Sequence, residues 1–233
     1  MSDRSVFSAA ADELAVSSER RTSMCQPFVR ALPVDAASVC TLGAPFGSET
    51  ICASNSLAAA FDELQFDLGE GPSWDAMTGR RPVLIDDLQT VRHSPWPALL
   101  KAAHGSGIRS VYAFHLTMGS IDIGAVALFS QAPAPFTPSQ VRDAELLAQI
   151  AASQVLRRAL QSRALKTNPE DNEGYSRRVV HQATGMVLAQ LNLSAADALL
   201  IIHGHAFSHA RTVREVAVDV VTRRLDFSSM LES

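Results

Sequence analysis

Hydrophobic positions along the chain change their period more than once. Phe7, Ala10, Ala11, Leu14 and Ala15 recur at helical spacing, and Phe28 and Val29 continue it, so the first thirty residues predict a helix. At Ala37-Ser38-Val39-Cys40-Thr41-Leu42 the period falls to two. That predicts a strand, which a turn between Gly43 and Gly47 joins to a second strand at residues 50–54. A mixed polar and apolar stretch without a clear period follows, ending in Leu68-Gly69-Glu70-Gly71-Pro72-Ser73-Trp74. Residues 82–85 predict a short strand running into Asp86-Asp87, and Pro95-Trp96-Pro97 opens a helix through Leu99, Leu100 and Ala103. Two further strands, 110–116 and 124–129, are joined by a glycine-bearing hairpin connection over 117–122.

Beyond Phe136 the pattern is helical almost to the end of the chain. Thr137-Pro138 supplies a cap and a proline at the first helical position. No breaker follows until Asn168-Pro169, and thirty residues of helix would measure about 45 Å. A helix of that length links two domains or pairs with a second copy. The acid-rich residues 168–174 predict a hinge. Three amphipathic stretches then follow. Val179, Val180, Ala183, Met186, Val187 and Leu191 form the apolar face of the first, opposite Arg177, His181, Thr184 and Leu188. Ser194-x-x-Asp197 has capping-box spacing before the second, and Thr212-x-x-Glu215 is a full capping box before the third.

Composition adds limits. With 233 residues, 47% of them hydrophobic and 19% charged, the chain can build one large core or two modest ones without staples. It shows no apolar run long enough to span a membrane and no signal-peptide pattern at its start, which predicts a cytoplasmic protein. Cys25, Cys40 and Cys52 are three cysteines at irregular spacing, read as reduced and partly buried thiols. Net charge is −4, yet residues 174–233 hold six arginines against five acids and four of the seven histidines. That asymmetry permits nucleic-acid binding without requiring it.

Two segments carry a family resemblance. Residues 180–190, reading Val-His-Gln-Ala-Thr-Gly-Met-Val-Leu-Ala-Gln, resemble the first helix of ANTAR domains. The resemblance continues through 194–200, Ala206-Phe207 and residues 211–217, covering roughly 163–226. It implies an RNA-binding antiterminator module that engages RNA with paired hairpin loops. Many members have a lysine where this chain has Thr184, so the arginines would carry more of the affinity. Gly69-Glu70-Gly71-Pro72-Ser73-Trp74 and Val83-Leu84-Ile85-Asp86-Asp87, in their order among the strands and helices, resemble a GAF domain over about 20–160. That resemblance implies a small-molecule or redox sensing pocket, and a homodimer through the end helices. The expected architecture is α+β: an antiparallel-sheet GAF sensor domain over 1–160, the long linking helix, and a three-helix ANTAR bundle over 163–226.

The candidate RNA-binding residues are Arg211 and Arg214, flanking a helix N-terminus that itself favours phosphate, followed by Arg177, Arg178, His181 and Thr184. Phe207 could stack on a base, but its place beside Ala206 assigns it to the core. Phe66, Trp74, Trp96, Phe114 and His115 are the candidate lining of a ligand cavity. His205 and His209 are one helical turn apart but lack an evident third ligand, so no metal is expected, and no cofactor. No nucleophile, base and oxyanion hole come together, and the expected protein is a signal-responsive regulator rather than an enzyme. Its signal would be a small-molecule ligand or an upstream signalling protein. The alternatives are a GAF-type methionine sulfoxide reductase working through the cysteines, and a protein-interaction module that binds no RNA.

Overall fold

The computed structural model describes residues 2–17, 23–43, 45–91, 95–165, 178–209 and 211–228. The chain divides into two compact units, Met1–Tyr175 and Ser176–Ser233. In the first, α1 (Ser2–Ala15) and α2 (Gln26–Ala31) precede β1 (Ala36–Thr41) and β2 (Glu49–Ala53). Then come α3 (Ser56–Leu68), α4 (Pro72–Gly79), β3 (Val83–Ile85), α5 (Pro97–Ala103), β4 (Ser110–Met118), β5 (Ile121–Ser130) and α6 (Pro138–Leu165). The single N-terminal helix expected from the apolar spacing is two helices, the second starting with Pro27 in its first turn. The proposed hinge at 168–174 lies outside the described residues.

The strands form one antiparallel sheet in the order β2-β1-β5-β4-β3. This is the α+β architecture expected. Side chains alternate across the sheet, so its two faces have separate fates. One face presents Ala37, Val39, Val126, Leu128, Tyr112, Phe114 and Leu116 to α1, α2 and α6, and together these make the larger apolar core. Tyr112 stacks on Phe136, with ring centroids 4.0 Å apart. The opposite face is shallow: Ser38, Cys40, Ala113, Ala125 and Ala127 leave room for α3 over β1 and β2 and for α4 over β4 and β5.

Cys25 and Cys52 are joined by a disulfide that ties the start of α2 to edge strand β2. This corrects the expectation of three reduced thiols: the two cysteines belong to elements distant in sequence that the fold brings within bonding distance. Cys40 alone is free, and buried.

The second unit is α7 (Arg178–Leu191), α8 (Ala195–Ser208) and α9 (Val213–Val221) around a core of Val180, Ala183, Val187, Ala198, Ile202, Val216 and Val220. Both helix-start signals act as the sequence suggests. The Ser194 hydroxyl accepts from Asp197 N, and Thr212 and Glu215 cap each other's backbone reciprocally.

Candidate functional site

In the first unit, the layer between the shallow sheet face and helices α3 and α4 holds the chemistry. Asn55 caps α3 by accepting from Ala58 N, and the helix turns Asp62, Gln65 and Phe66 toward the sheet. Asp62 is 1% exposed. Its Oδ1 accepts from the Ser38 hydroxyl at 3.2 Å and its Oδ2 from the Thr50 hydroxyl at 2.5 Å. Burial raises its pKa to about 6, against those two hydrogen bonds. Cys40 sits beside it with its thiol on Ala125 O at 3.5 Å. Burial, and then the Asp62 charge, push this thiol upward, so it stays protonated and is a poor nucleophile.

The motif at 69–74 now has a physical reading. Gly69 ends α3 in the left-handed conformation, and Glu70 Oε1 accepts from Leu99 N in the first turn of α5. Gly71 has φ 140°, and a Cβ there would lie 2.6 Å from Gln65 Oε1. Only glycine lets Gln65 come this close, where its Oε1 accepts from Ser73 N at 2.9 Å. Trp74 Nε1 donates to Gln65 O at 3.2 Å.

Three side-chain atoms in this layer are buried without a hydrogen-bond partner: Gln65 Nε2, Ser73 Oγ and His115 Nδ1. His115 stands in register with Ala125 and, through it, with Cys40, on the same sheet face. Each such atom costs about 1–3 kcal/mol while unsatisfied.

The expected ligand cavity is only partly assembled. Phe66 and Trp74 belong to this layer, with His115. Trp96 is buried at the other end of the same face, its Nε1 donating to Asp75 Oδ2 at 3.0 Å. Phe114 does not belong: it precedes His115 on a strand, so it points to the opposite core. Asp62, Gln65 and Ser73 were missed because no helix was read at 56–68 or at 72–79. The signal was present in the Asn55 cap and in Ala58, Phe61, Asp62, Gln65 and Phe66 recurring at helical spacing.

In the second unit, Arg211 and Arg214 flank the start of α9. Arg211 Nη2 bonds Asp219 Oδ2 at 2.6 Å, and Arg224 Nε shares that carboxylate at 2.8 Å. The hydrogen bond from Arg211, helped by the Arg224 charge, holds the Asp219 pKa below the usual range. Arg214 and His181 are exposed. Arg178 starts α7, and Arg177 lies outside the described residues. Thr184 corrects an expectation: it is buried, and its hydroxyl donates to Val180 O at 2.8 Å. It sits one turn from Val180 and beside Ala183, on the packed side of α7, and its hydroxyl already has an acceptor. His205 and His209 stack on each other with centroids 4.0 Å apart, and His205 meets the Phe227 ring edge-on. Burial, then the His209 and Arg211 charges, lower the His205 pKa.

Phe207 is the second correction. It is 76% exposed, and Leu200, two turns earlier on the same helix face, is 69% exposed. Ala206 faces the core, and its neighbour points away from it.

A GAF domain family model matches residues 22–155, and an ANTAR domain model matches 175–221. A GAF domain is a sensor domain and ANTAR is an RNA-binding antitermination module, so the class is a regulator that combines a sensor domain with an RNA-binding module. The chain belongs to the GAF domain family and carries an ANTAR domain after it. No curated protein matches the chain. Among solved structures, a domain of a two-component sensor histidine kinase protein from Sinorhizobium meliloti is 19% identical at TM-score 0.48, covering 64% of this chain and 97% of that one. The chromophore-binding domain of a bacteriophytochrome from R. palustris is 12% identical at TM-score 0.47, covering 67% and 61%. A GAF domain/HD domain protein from Geobacter sulfurreducens is 14% identical at TM-score 0.47, covering 63% and 95%.

Proposed function

We propose that this chain is a signal-responsive regulator that promotes transcription antitermination by binding paired hairpin loops in nascent RNA. Residues 1–160 act as the sensor and 163–226 as the RNA-binding module. One observation carries the reading. From residue 198 to residue 214, within the ANTAR match, there is no acid, while three histidines and two arginines occur there. This stretch runs through α8 to the start of α9, whose dipole also favours phosphate. Arg214 and His181 supply exposed contacts, and Arg177 and Arg178 extend them along the chain. Arg211 is divided between Asp219 and a phosphate.

The signal is a small polar molecule taken up between α3, α4 and the sheet, where Gln65, Ser73 and His115 offer unmatched hydrogen-bonding groups. The output passes through α6 in a cytoplasmic homodimer. Leu146 and Leu160 on that helix are 48% and 57% exposed, and half-buried Ser153 lies seven residues from each, the spacing of a helix-pairing seam. No single helix among the described residues is long and apolar enough to cross a membrane.

Titration of the full chain with a pool of two-hairpin RNAs carrying random loops, at several salt concentrations, tests the RNA reading. Binding should weaken steeply with salt. Arg214→Ala should lower affinity across the pool and reduce the salt slope by about one, with a smaller loss for Arg211→Ala. Absence of any salt-sensitive binding would end the reading.

A further inference from the structure

An apolar ring on a surface is ordinary when it is scattered among polar groups. Phe207 is different in its surroundings. At 76% it is the most exposed large hydrophobic side chain among the described residues. Gly204, one turn earlier, has nothing within 4 Å of where a Cβ would stand. Leu200 continues the same face. The ring therefore has an open flat approach, bordered by a residue without a side chain.

Two observations identify what covers it. The first is charge: Phe207 lies inside the acid-free stretch 198–214, between His203 and His209, with Arg211 four residues onward in the sequence. No acidic side chain in this stretch opposes a polyanion, and Arg211 shares its charge with Asp219. The second is area. A leucine and a phenylalanine side chain offer roughly 300–400 Å² together, whereas a stable protein interface buries about 800 Å² per partner. The patch is too small to hold a second protein and large enough for one or two bases.

We infer that Phe207 is a stacking platform for an unpaired base of an RNA loop, with Leu200 and the bare Gly204 turn beside it. The inference rests on the RNA-binding reading and adds to it: arginine contacts to phosphate supply affinity that any RNA would enjoy, and the ring selects RNA with unpaired bases. Every base has a flat apolar face, so the contact tolerates sequence change but excludes bases already paired in a helix.

The test uses the full chain, the random-loop two-hairpin pool, and a loopless RNA duplex of matched length. Phe207→Ala and Phe207→Leu should weaken binding to the looped pool about five- to a hundredfold and leave duplex binding unchanged. Phe207→Tyr keeps the ring and should retain wild-type affinity. The salt slope should stay that of the wild type in all three, since the ring neutralises no phosphate. Wild-type affinity in Phe207→Ala would overturn the stacking role while leaving RNA binding by Arg214 intact. Full retention in Phe207→Leu would also overturn it, because leucine preserves an apolar protein contact but no stacking plane; sedimentation would then report self-association lost only in Phe207→Ala. If the wild type binds neither RNA, the RNA-binding reading and the stacking role fall together.

Discussion

The two units break the inside-outside rule in opposite directions. The first buries groups that belong in water: Asp62, Gln65 and Ser73, each about 1% exposed. The second exposes groups that belong in a core, Leu200 and Phe207. A buried polar group without a partner costs free energy that only a bound polar molecule or a rearrangement recovers. An exposed ring costs little, since folded surfaces are already largely apolar. The contrast teaches where each unit's partner goes. On the proposed function, a small polar signal would enter the first, and RNA would lie across the second. Substitutions in the first unit should therefore act on stability and its pH dependence, and those on the exposed face of α8 on binding alone.

The largest expected stability effect lies in the first unit. Cys52→Ser opens the covalent link to Cys25 across a sequence separation of 27 residues. Loop-closure entropy predicts a loss of about 3–4 kcal/mol. Denaturant unfolding under oxidising conditions measures it, and in excess dithiol the variant and wild type should unfold alike. Equal midpoints in oxidising buffer would remove the disulfide from the account of this unit.

A somewhat smaller effect belongs to Asp62. Its folded pKa of about 6 lies above the unfolded value of 3.8. Between these two values the folded chain holds a proton that the unfolded chain has released. Stability from this group is thus fully present below about pH 4, falls as pH rises, and levels off above about pH 6. The total is on the order of 3 kcal/mol. Asp62→Asn should be flat across that window and more stable than the wild type at pH 8, which thermal melts in a pH series would read. Parallel slopes in the two proteins would show that burial of Asp62 has no such consequence.

The smallest effect sharpens the contrast from the other side. Leu200→Gln should change stability by no more than about 0.5 kcal/mol, as for exposed positions generally. A loss of several kcal/mol on melting would mean that this face of α8 packs inside the fold and that the two units do not differ as described.

Much of this could be read from the sequence, and the failures share a physical cause. Strands β1 to β5, the long α6 and both helix caps of the second unit announced themselves by period and cap residues. What escaped were α3 and α4, and with them Asp62, Gln65 and Ser73. A stripe that mixes alanine, aspartate and glutamine gives a weak amphipathic signal, because the polar members are the ones turned inward. Phe114 and His115 were grouped by residue type, although adjacent strand residues face opposite ways. Thr184 and Phe207 were each assigned the wrong side of a helix, Thr184 by its place opposite the apolar stripe and Phe207 by its place beside Ala206. Position on the turn decided both: Thr184 has its hydroxyl on Val180 O, and Phe207 follows the core residue Ala206. The Cys25–Cys52 link depends on contact between α2 and an edge strand, which spacing along the chain does not encode.

The ends of the sheet carry one more consequence. Its outermost strands are β2, five residues beginning at Glu49, and β3, three residues leading directly into Asp86-Asp87. Open backbone edges invite strands from other molecules, and short edges flanked by acidic side chains discourage it. Asp87 is further fixed by its ion pair with Arg109 at 2.6 Å. Edge-to-edge growth is thereby discouraged at both margins, so the sheet offers other molecules little open backbone on which to build.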